Sequence, residues 1–463
     1  MYLDYADYLY EDLDRLIEGI DYVLNPDIVK VRYDNVVHSK PDEKLPPQPY
    51  IEYLNIDTIV RKLDIRRIES FVLFDEILSL LPHEELNNLR HNRLELYKYI
   101  DEYLDFMKGI KLRVDDIHAE DDIKRDIILI SPSNKQFSIV RGNWANWVWR
   151  EKDYKGRDTP DEYYWLCDVI NLATAIKSEG GNPIIVADKD LMNKYSDLLS
   201  KFKVIWIDIP KGLAKIGYPR DQSVTWFKWP IIGNMALDIR RGEEVVINSV
   251  YCKIGLKPLA RARWVLDKDK LLMCKFEGGN FFIIKTEYGT ALITGIGVRG
   301  SNHATFKFLS EILPEDIELY GLPLSGYIRD WANTGAVHLD VTLLYLGCLN
   351  GCYVAFVDPL RTGFYSLLRY DREKDCFKVT HFGLFAKKYG IKLDEPVRKG
   401  SSPITMVNAL NLGSKKLIVD SSNREMNKYL EREYGIDIIE VDIPHIEAGG
   451  GGPRCATREI YYT

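Results

Sequence analysis

The chain has no Cys-x-x-Cys pair, no excess of basic charge and no secretory leader pattern, and each absence removes a class of function. Seven cysteines, an odd number, stand at 167, 252, 274, 348, 352, 376 and 455, mostly inside apolar runs. That usage predicts reduced, buried thiols and a cytoplasmic location. The closest pair, Cys348 and Cys352, has no histidine nearby, so no metal site is expected. Acidic residues outnumber basic ones, 69 to 62, and the net charge of −7 offers no footprint for nucleic acid. Residues 1–14 are acidic and lack the basic-then-apolar order of a signal peptide. Residues 341–357 carry no charge, but Asn350-Gly351 in their middle favours a two-residue hairpin, so two buried strands are expected there and no membrane span.

With 46% hydrophobic and 28% charged residues, the composition is that of a globular protein, and 463 residues exceed one ordinary core. Residues 1–125 read as a mainly helical accessory region. Tyr, Leu and Ile recur there at helical spacing, as in residues 5–24 and 84–107, around a Pro-rich loop near residues 44–49. His38, His83, His91 and His118 fall in this part and read as ordinary surface or core residues. Residues 126–463 alternate short strands and helices and form an α/β region. A helix is expected after Thr159, with Pro160 in its first turn, Glu162 completing a capping box and Gly180-Gly181 at its end. A strand, helix, strand order returns at residues 417–420, 423–434 and 436–442.

A weak internal repeat organises this second part. Asp221, Glu277 and His338, spaced by 56 and 61 residues, each stand at the head of a predicted hairpin. Those hairpins cover residues 223–227 with 231–237, 281–285 with 290–294, and 342–346 with 352–357. Repeated units with a polar residue at each strand start predict a ring of modules around one common site. The most specific local feature is Gly449-Gly450-Gly451-Gly452-Pro453-Arg454-Cys455, where glycines let the backbone approach a ligand and present the thiol at a tight turn. It lacks the Lys-Ser or Lys-Thr sequel of a phosphate-binding loop. A nucleophilic Cys455 needs a cation beside it, supplied by His338 or by a cationic substrate. Asp221 and Asp340 suit a guanidinium, a planar cation whose N–H fork two carboxylates can grip.

Four blocks in order, Tyr218-Pro219-Arg220-Asp221, Glu277-Gly278-Gly279-Asn280, His338-Leu339-Asp340 and the glycine run to Cys455, resemble the guanidino-group-modifying enzymes of the pentein superfamily. These are the arginine deiminases, agmatine deiminases and amidinotransferases. The resemblance covers about residues 126–463 and implies a five-bladed α/β propeller, preceded by the helical extension. It further implies Cys455 as nucleophile, His338 as general acid/base oriented by Glu277, and Asp221 with Asp340 holding the guanidinium. Arg299, in Gly295-Ile296-Gly297-Val298-Arg299, and Arg240 or Arg241 match the arginines that hold a substrate carboxylate. Asn280 stands where arginine deiminases have Asp, and Ala456-Thr457-Arg458 replaces their usual sequel to the cysteine.

The resemblance therefore implies hydrolysis of a guanidino substrate, L-arginine to citrulline and ammonia ahead of the rest, with no metal or organic cofactor. Amidino transfer to an acceptor amine and arginine dihydrolysis to ornithine use the same residues. A ribosome-binding or other ligand-binding protein on the same fold would not need the cysteine, the histidine and three acids together. A cysteine protease would leave Asp221 and Asp340 without a task. Nucleic-acid and membrane partners are not expected, and homo-oligomerisation is left open.

Overall fold

In the computed structural model of the chain, the described residues are 109–134, 136, 162–207, 209, 215–227, 229–236, 240, 243–256, 258–262, 264–267, 270–297, 299–325, 336–362, 366–402 and 404–461. The helices expected at 5–24 and 84–107, the Pro-rich loop, His38, His83, His91, the caps at Thr159 and Pro160, and Arg241 lie outside them.

Alternation of apolar side chains along strands that are buried on both faces determines the architecture. In chain order the strands are β1 (Asp126–Ile130), β2 (Asn182–Ala187), β3 (Lys203–Trp206), β4 (Ser223–Val224), β5 (Ile231–Ile232) and β6 (Ala260–Arg261), then β7 (Trp264–Asp267), β8 (Lys270–Met273), β9 (Phe281–Thr286), β10 (Gly289–Ile296) and β11 (Ile317–Pro323). They continue with β12 (Leu343–Leu349), β13 (Cys352–Val357), β14 (Ser366–Asp371), β15 (Cys376–His381), β16 (Ile391–Asp394), β17 (Leu410–Gly413), β18 (Lys416–Asp420), β19 (Asp437–Val441) and β20 (Arg458–Ile460). The longer connecting helices are α1 (Glu162–Ser178), α2 (Glu243–Lys253), α3 (His303–Ile312), α4 (Phe382–Lys388) and α5 (Arg424–Tyr434).

One pattern occurs five times among the described residues: an antiparallel strand pair, a helix, and a third strand parallel to the second. It is formed by β4-β5-α2-β6, β9-β10-α3-β11, β12-β13-α4-β16 and β17-β18-α5-β19. The remaining unit is β1-α1-β2, whose antiparallel partner is β20 from far along the chain. The hairpin β14-β15, which the sequence reading did not anticipate, extends the sheet of β9 to β11. The pair β7-β8 stands as a separate ribbon.

Successive side chains of a strand point to opposite faces, and here each face meets a different neighbouring unit. Ile128 and Ile130 of β1 share a core with Ile232 and α2, while Ile127 and Leu129 share one with Leu410, Ile418 and α1. Phe281 and Ile283 of β9 pack with Val224 and Ile231, whereas Phe282 and Ile284 pack with Leu343 and Tyr345. Leu344 and Leu346 in turn join Leu417 and Val419. Each unit thus shares a core with the next, and the last shares one with the first. Every fully buried aliphatic side chain in these cores stabilises the fold by about 1.5–3 kcal/mol.

The predicted turn at Asn350-Gly351 is present, with φ of 53° and 81° at the two residues. The backbone N–H groups of Gly180 and Gly181 close the end of α1 on Lys177 and Ile176. Glu162 Oε2 accepts the N–H of Asn134 at 3.0 Å and its Oε1 pairs with Lys194, while its capping-box partner Thr159 lies outside the described residues. The predicted strands 223–227 and 231–237 shorten to two residues each. Their continuations bridge elsewhere, Phe227 to Ile117 and Asn234 to Phe276. All seven cysteines are unpaired, but the expectation of mostly buried thiols is corrected: Cys274 and Cys455 are buried, Cys252 and Cys348 are exposed, and the other three are half-buried. Cys348 faces outward on β12 just past the register shift at Tyr345 and Gly347.

Residues 110–124, placed by the sequence reading with the accessory region, pack into the α/β part. Ile110, Leu112 and Ile117 enter the core around Trp226 and Phe281. His118 stacks on Tyr461 with ring centroids 4.1 Å apart. Among the described residues no helix is long and apolar enough to cross a membrane.

Candidate active site

Every unit carries a tight turn just ahead of its antiparallel pair, and the turns converge. Asp221 precedes β4, Glu277 precedes β9, His338 and Asp340 precede β12, Asn408 precedes β17 and Cys455 precedes β20. The turns close through backbone bonds such as Asn280 N–H to Glu277 O (2.9 Å), Thr342 to Leu339 (2.9 Å), Asn408 to Thr405 (3.0 Å) and Thr457 to Arg454 (3.2 Å). The structure brings all five principal sequence candidates together, and all five are buried.

His338 Nε2 lies 2.5 Å from Glu277 Oε2, and its Nδ1 lies 3.2 Å from Asp221 Oδ1. An ionised carboxylate only accepts, so Nε2 carries a proton toward Glu277. Burial alone would raise the Glu277 carboxyl, but Arg299 and His338 outweigh it and hold the group well below the usual carboxylate range. Asp221 follows the same balance, with burial opposed by His338 and Arg240, and is also lowered.

Cys455 is differently placed. Its Sγ lies 3.3 Å from Asp340 Oδ2 and 3.0 Å from Asn408 Nδ2. Burial first, then the charges of Asp340 and Asp221, push the thiol well above its ordinary value. A thiol in such a site ionises only when positive charge enters beside it.

Gly279 lies tightly against the same groups. A Cβ built there would lie 2.6 Å from Asp221 Oδ1, 3.1 Å from Asp340 Oδ2 and 3.2 Å from His338 Nδ1, so these three side chains crowd one position that only glycine leaves undisturbed. Asp221 Oδ1 and Asp340 Oδ1 are buried and accept no hydrogen bond among the described residues. A buried carboxylate oxygen without a donor is costly, and a ligand bearing N–H groups would relieve it. Gly451 serves close packing in the same way, since a Cβ there would come within 2.5 Å of the Tyr218 ring and 2.9 Å of Cys455 Cβ.

The arginines expected to meet a substrate carboxylate pair with acids of the site. Arg240 binds Asp221 Oδ2 at 2.7 Å and grips Glu243 Oε2 at 2.6 Å. Arg299 binds Glu277 Oε2 at 2.6 Å and lies 3.5 Å from Asp221 Oδ2. Asn280 donates to the carbonyl of Arg299 at 2.8 Å, behind the glutamate. Asp221, Glu277 and His338 also offer three ligand atoms within 4.8 Å of one another, a spacing a metal ion would fit. The two carboxylates there already accept N–H groups from Arg240 and Arg299.

Four neighbours escaped the sequence reading. Glu243 anchors Arg240, and Lys215 Nζ donates to Gly449 O at 3.0 Å behind the glycine run. Burial, then Arg299 and Arg240, bring Lys215 down to about 7. Arg454 forks onto Glu120 at 2.9 and 3.1 Å, reaches Asp340 Oδ2 at 3.2 Å and stacks over Phe282 at 4.1 Å. Asn408 stands at the head of the fifth unit, 70 residues beyond His338. The repeat spacing, carried one step further, was the signal that would have found it.

No protein-family model matches the chain, and no curated protein matches it. Several solved structures are similar at low identity. The N-terminal domain of ArgZ, described as an arginine dihydrolase from the ornithine-ammonia cycle in cyanobacteria, is 14% identical with a TM-score of 0.46, over 74% of this chain and 98% of that one. The DDAH of Pseudomonas aeruginosa in complex with citrulline is 13% identical with a TM-score of 0.45, over 73% and 100% of the two chains. SxtG, an amidinotransferase of saxitoxin biosynthesis from Microseira wollei, is 16% identical with a TM-score of 0.45, over 75% and 97%.

Proposed function

We propose that this chain is a cysteine-dependent guanidino-group-modifying enzyme of pentein type, a five-bladed α/β propeller that hydrolyses L-arginine to citrulline and ammonia. The observation that carries the reading is the buried cluster in which Asp221, Asp340 and His338 converge beside Cys455 and two carboxylate oxygens, Asp221 Oδ1 and Asp340 Oδ1, accept no hydrogen bond among the described residues. A guanidinium placed there satisfies both oxygens through charge-assisted bonds and brings positive charge to the sulfur. The cyclic order of shared cores supports the five-bladed arrangement. The packing of residues 110–124 supports a catalytic unit that begins before residue 126.

The reaction follows from the positions. As the cation enters, the Cys455 thiol loses its proton to solvent and the thiolate adds to the guanidinium carbon. His338, held at Nε2 by Glu277, gives a proton from Nδ1 to the departing nitrogen, which leaves as ammonia. The cationic thiouronium left on sulfur is attacked by water, whose proton returns to Nδ1. Collapse of that adduct expels the thiolate, the hydroxyl proton passes to solvent, and the neutral ureido product is released. Covalent catalysis thus divides one slow hydrolysis into two easier steps. No metal or organic cofactor enters this scheme, so turnover is expected to survive a chelator, and activity that depends on added metal would overturn it.

The test is to incubate the purified protein with L-arginine, with and without glycine, beside Cys455→Ala, and to resolve the products by mass spectrometry. Cysteine-dependent citrulline and ammonia support the reading. Ornithine with guanidinoacetate would replace it by amidino transfer, and ornithine with excess ammonia by dihydrolysis. Turnover that persists in Cys455→Ala would remove the covalent scheme.

A further inference from the structure

Four of the five turns supply groups that the proposed reaction uses, and the fifth supplies Asn408, which it does not. Asn408 is fully buried, and all of its side-chain bonds lead to the reacting centre. Its Oδ1 accepts the backbone N–H of Cys455 at 3.0 Å and of Gly452 at 3.1 Å. Its Nδ2 donates to the carbonyl of Asp340 at 2.9 Å and lies 3.0 Å from Cys455 Sγ. The main chain of Asn408 adds a bond from Arg454 N–H to its carbonyl at 3.2 Å.

These partners fix which way the amide faces. Two N–H donors on one side require the oxygen there, so the NH₂ group must face the Asp340 carbonyl and the sulfur. An amide NH₂ has two protons, and these two acceptors use both. The sulfur's other polar neighbour, Asp340 Oδ2, can accept the proton of a thiol but only repels a thiolate. Asn408 has the opposite preference, because a donor binds an anionic sulfur more strongly than a neutral one.

We propose that Asn408 is a catalytic residue that donates a hydrogen bond to the Cys455 thiolate and, through its oxygen, holds the turn that aims the sulfur at the guanidinium carbon. This rests on the reading of Cys455 as the nucleophile. The bond is formed before the substrate arrives, strengthens as the thiol ionises, and is available again when the thiolate is expelled in the last step. Asn408 would thus serve both ends of the cycle without exchanging a proton.

The test uses the full chain and needs no substrate. The rate of Cys455 alkylation by iodoacetamide is followed against pH, with the modified residue located by peptide mass spectrometry, in the wild type, Asn408→Asp and Asn408→Ser. Aspartate keeps an acceptor for the two backbone N–H groups but replaces the donor by a carboxylate. Serine is too short to reach the sulfur. We expect both alkylation profiles to move to higher pH, with Asn408→Asp slower by at least about tenfold near neutrality, one pKa unit being a factor of ten, and with cooperative thermal unfolding retained. A folded Asn408→Asp whose profile superimposes on the wild type would overturn the proposal. Loss of folding in both variants would also overturn it, since it would assign Asn408 to structure alone. The nucleophile reading fails separately, if Cys455→Ala keeps turnover, and that result leaves the Cys455 alkylation profile to be read on its own.

Discussion

Asp340→Asn is expected to make Cys455 more reactive and the protein less active. Asp340 Oδ2 lies 3.3 Å from the sulfur, and after burial it is the largest influence raising the thiol. At that distance and an effective dielectric of about 20, a carboxylate repels a thiolate by roughly 5 kcal/mol. Arg454 Nη1 sits 3.2 Å from the same oxygen and already offsets part of that charge. The thiol is therefore expected to come down toward its ordinary value. A lower thiol pKa means more thiolate at neutral pH, so iodoacetamide should modify Cys455 about ten- to a hundredfold faster in the variant. Turnover should fall, because the guanidinium has lost one of its two carboxylates. An unreactive guanidinium ligand should move the wild-type sulfur in the same direction, which can be read from thiolate absorbance against Cys455→Ala. A folded Asp340→Asn whose alkylation profile stays in place, or shifts to higher pH, would refute the electrostatic argument.

Gly279→Ala places a methyl group 2.6 Å from Asp221 Oδ1, so guanidine turnover should drop at least about a hundredfold while circular dichroism stays that of the wild type. Glu120→Gln takes the bidentate carboxylate from buried Arg454, and denaturant unfolding should show a loss of about 3–5 kcal/mol. Lys215 stands at about 7 in the folded chain, whereas an unfolded lysine keeps its proton up to about 10.4. Between those limits the unfolded chain binds more protons, so this group makes stability rise with pH. Lys215→Met should flatten the rise in melting temperature between about pH 7 and pH 9, and an unchanged slope would show that the lysine is not buried in its neutral form.

The parts legible in the sequence were those where one residue type serves one purpose. Asn350-Gly351 announces a hairpin because few other pairs accept positive φ twice, and the structure shows it. Asp221, Glu277 and His338 stood out because polar residues at the heads of apolar strands need a reason to be there, and Cys455 stood out by the glycine run that precedes it. Asn408 was hidden by its setting, Thr405-Met406-Val407-Asn408-Ala409, in which a neutral amide among apolar neighbours reads as a turn residue. Glu120 was hidden by distance, since its partner Arg454 lies 334 residues away and no local pattern links them. The arginines were the subtler case. Sequence spacing placed Arg240 and Arg299 near the site, but the choice between an incoming carboxylate and the protein's own acids depends on geometry that spacing does not contain.

The pairing of β20 with β1 has a consequence for how the protein comes into being. The strand that follows the cysteine completes a sheet whose other members emerged from the ribosome more than 250 residues earlier. A nascent chain therefore holds acids, histidine and amide long before it holds a positioned sulfur, and no single unit is capable of chemistry by itself. Such distant partners also make closure slow compared with local folding. The turn that carries Cys455 therefore meets Asp340 and Asn408 only once the last strand has paired with the first.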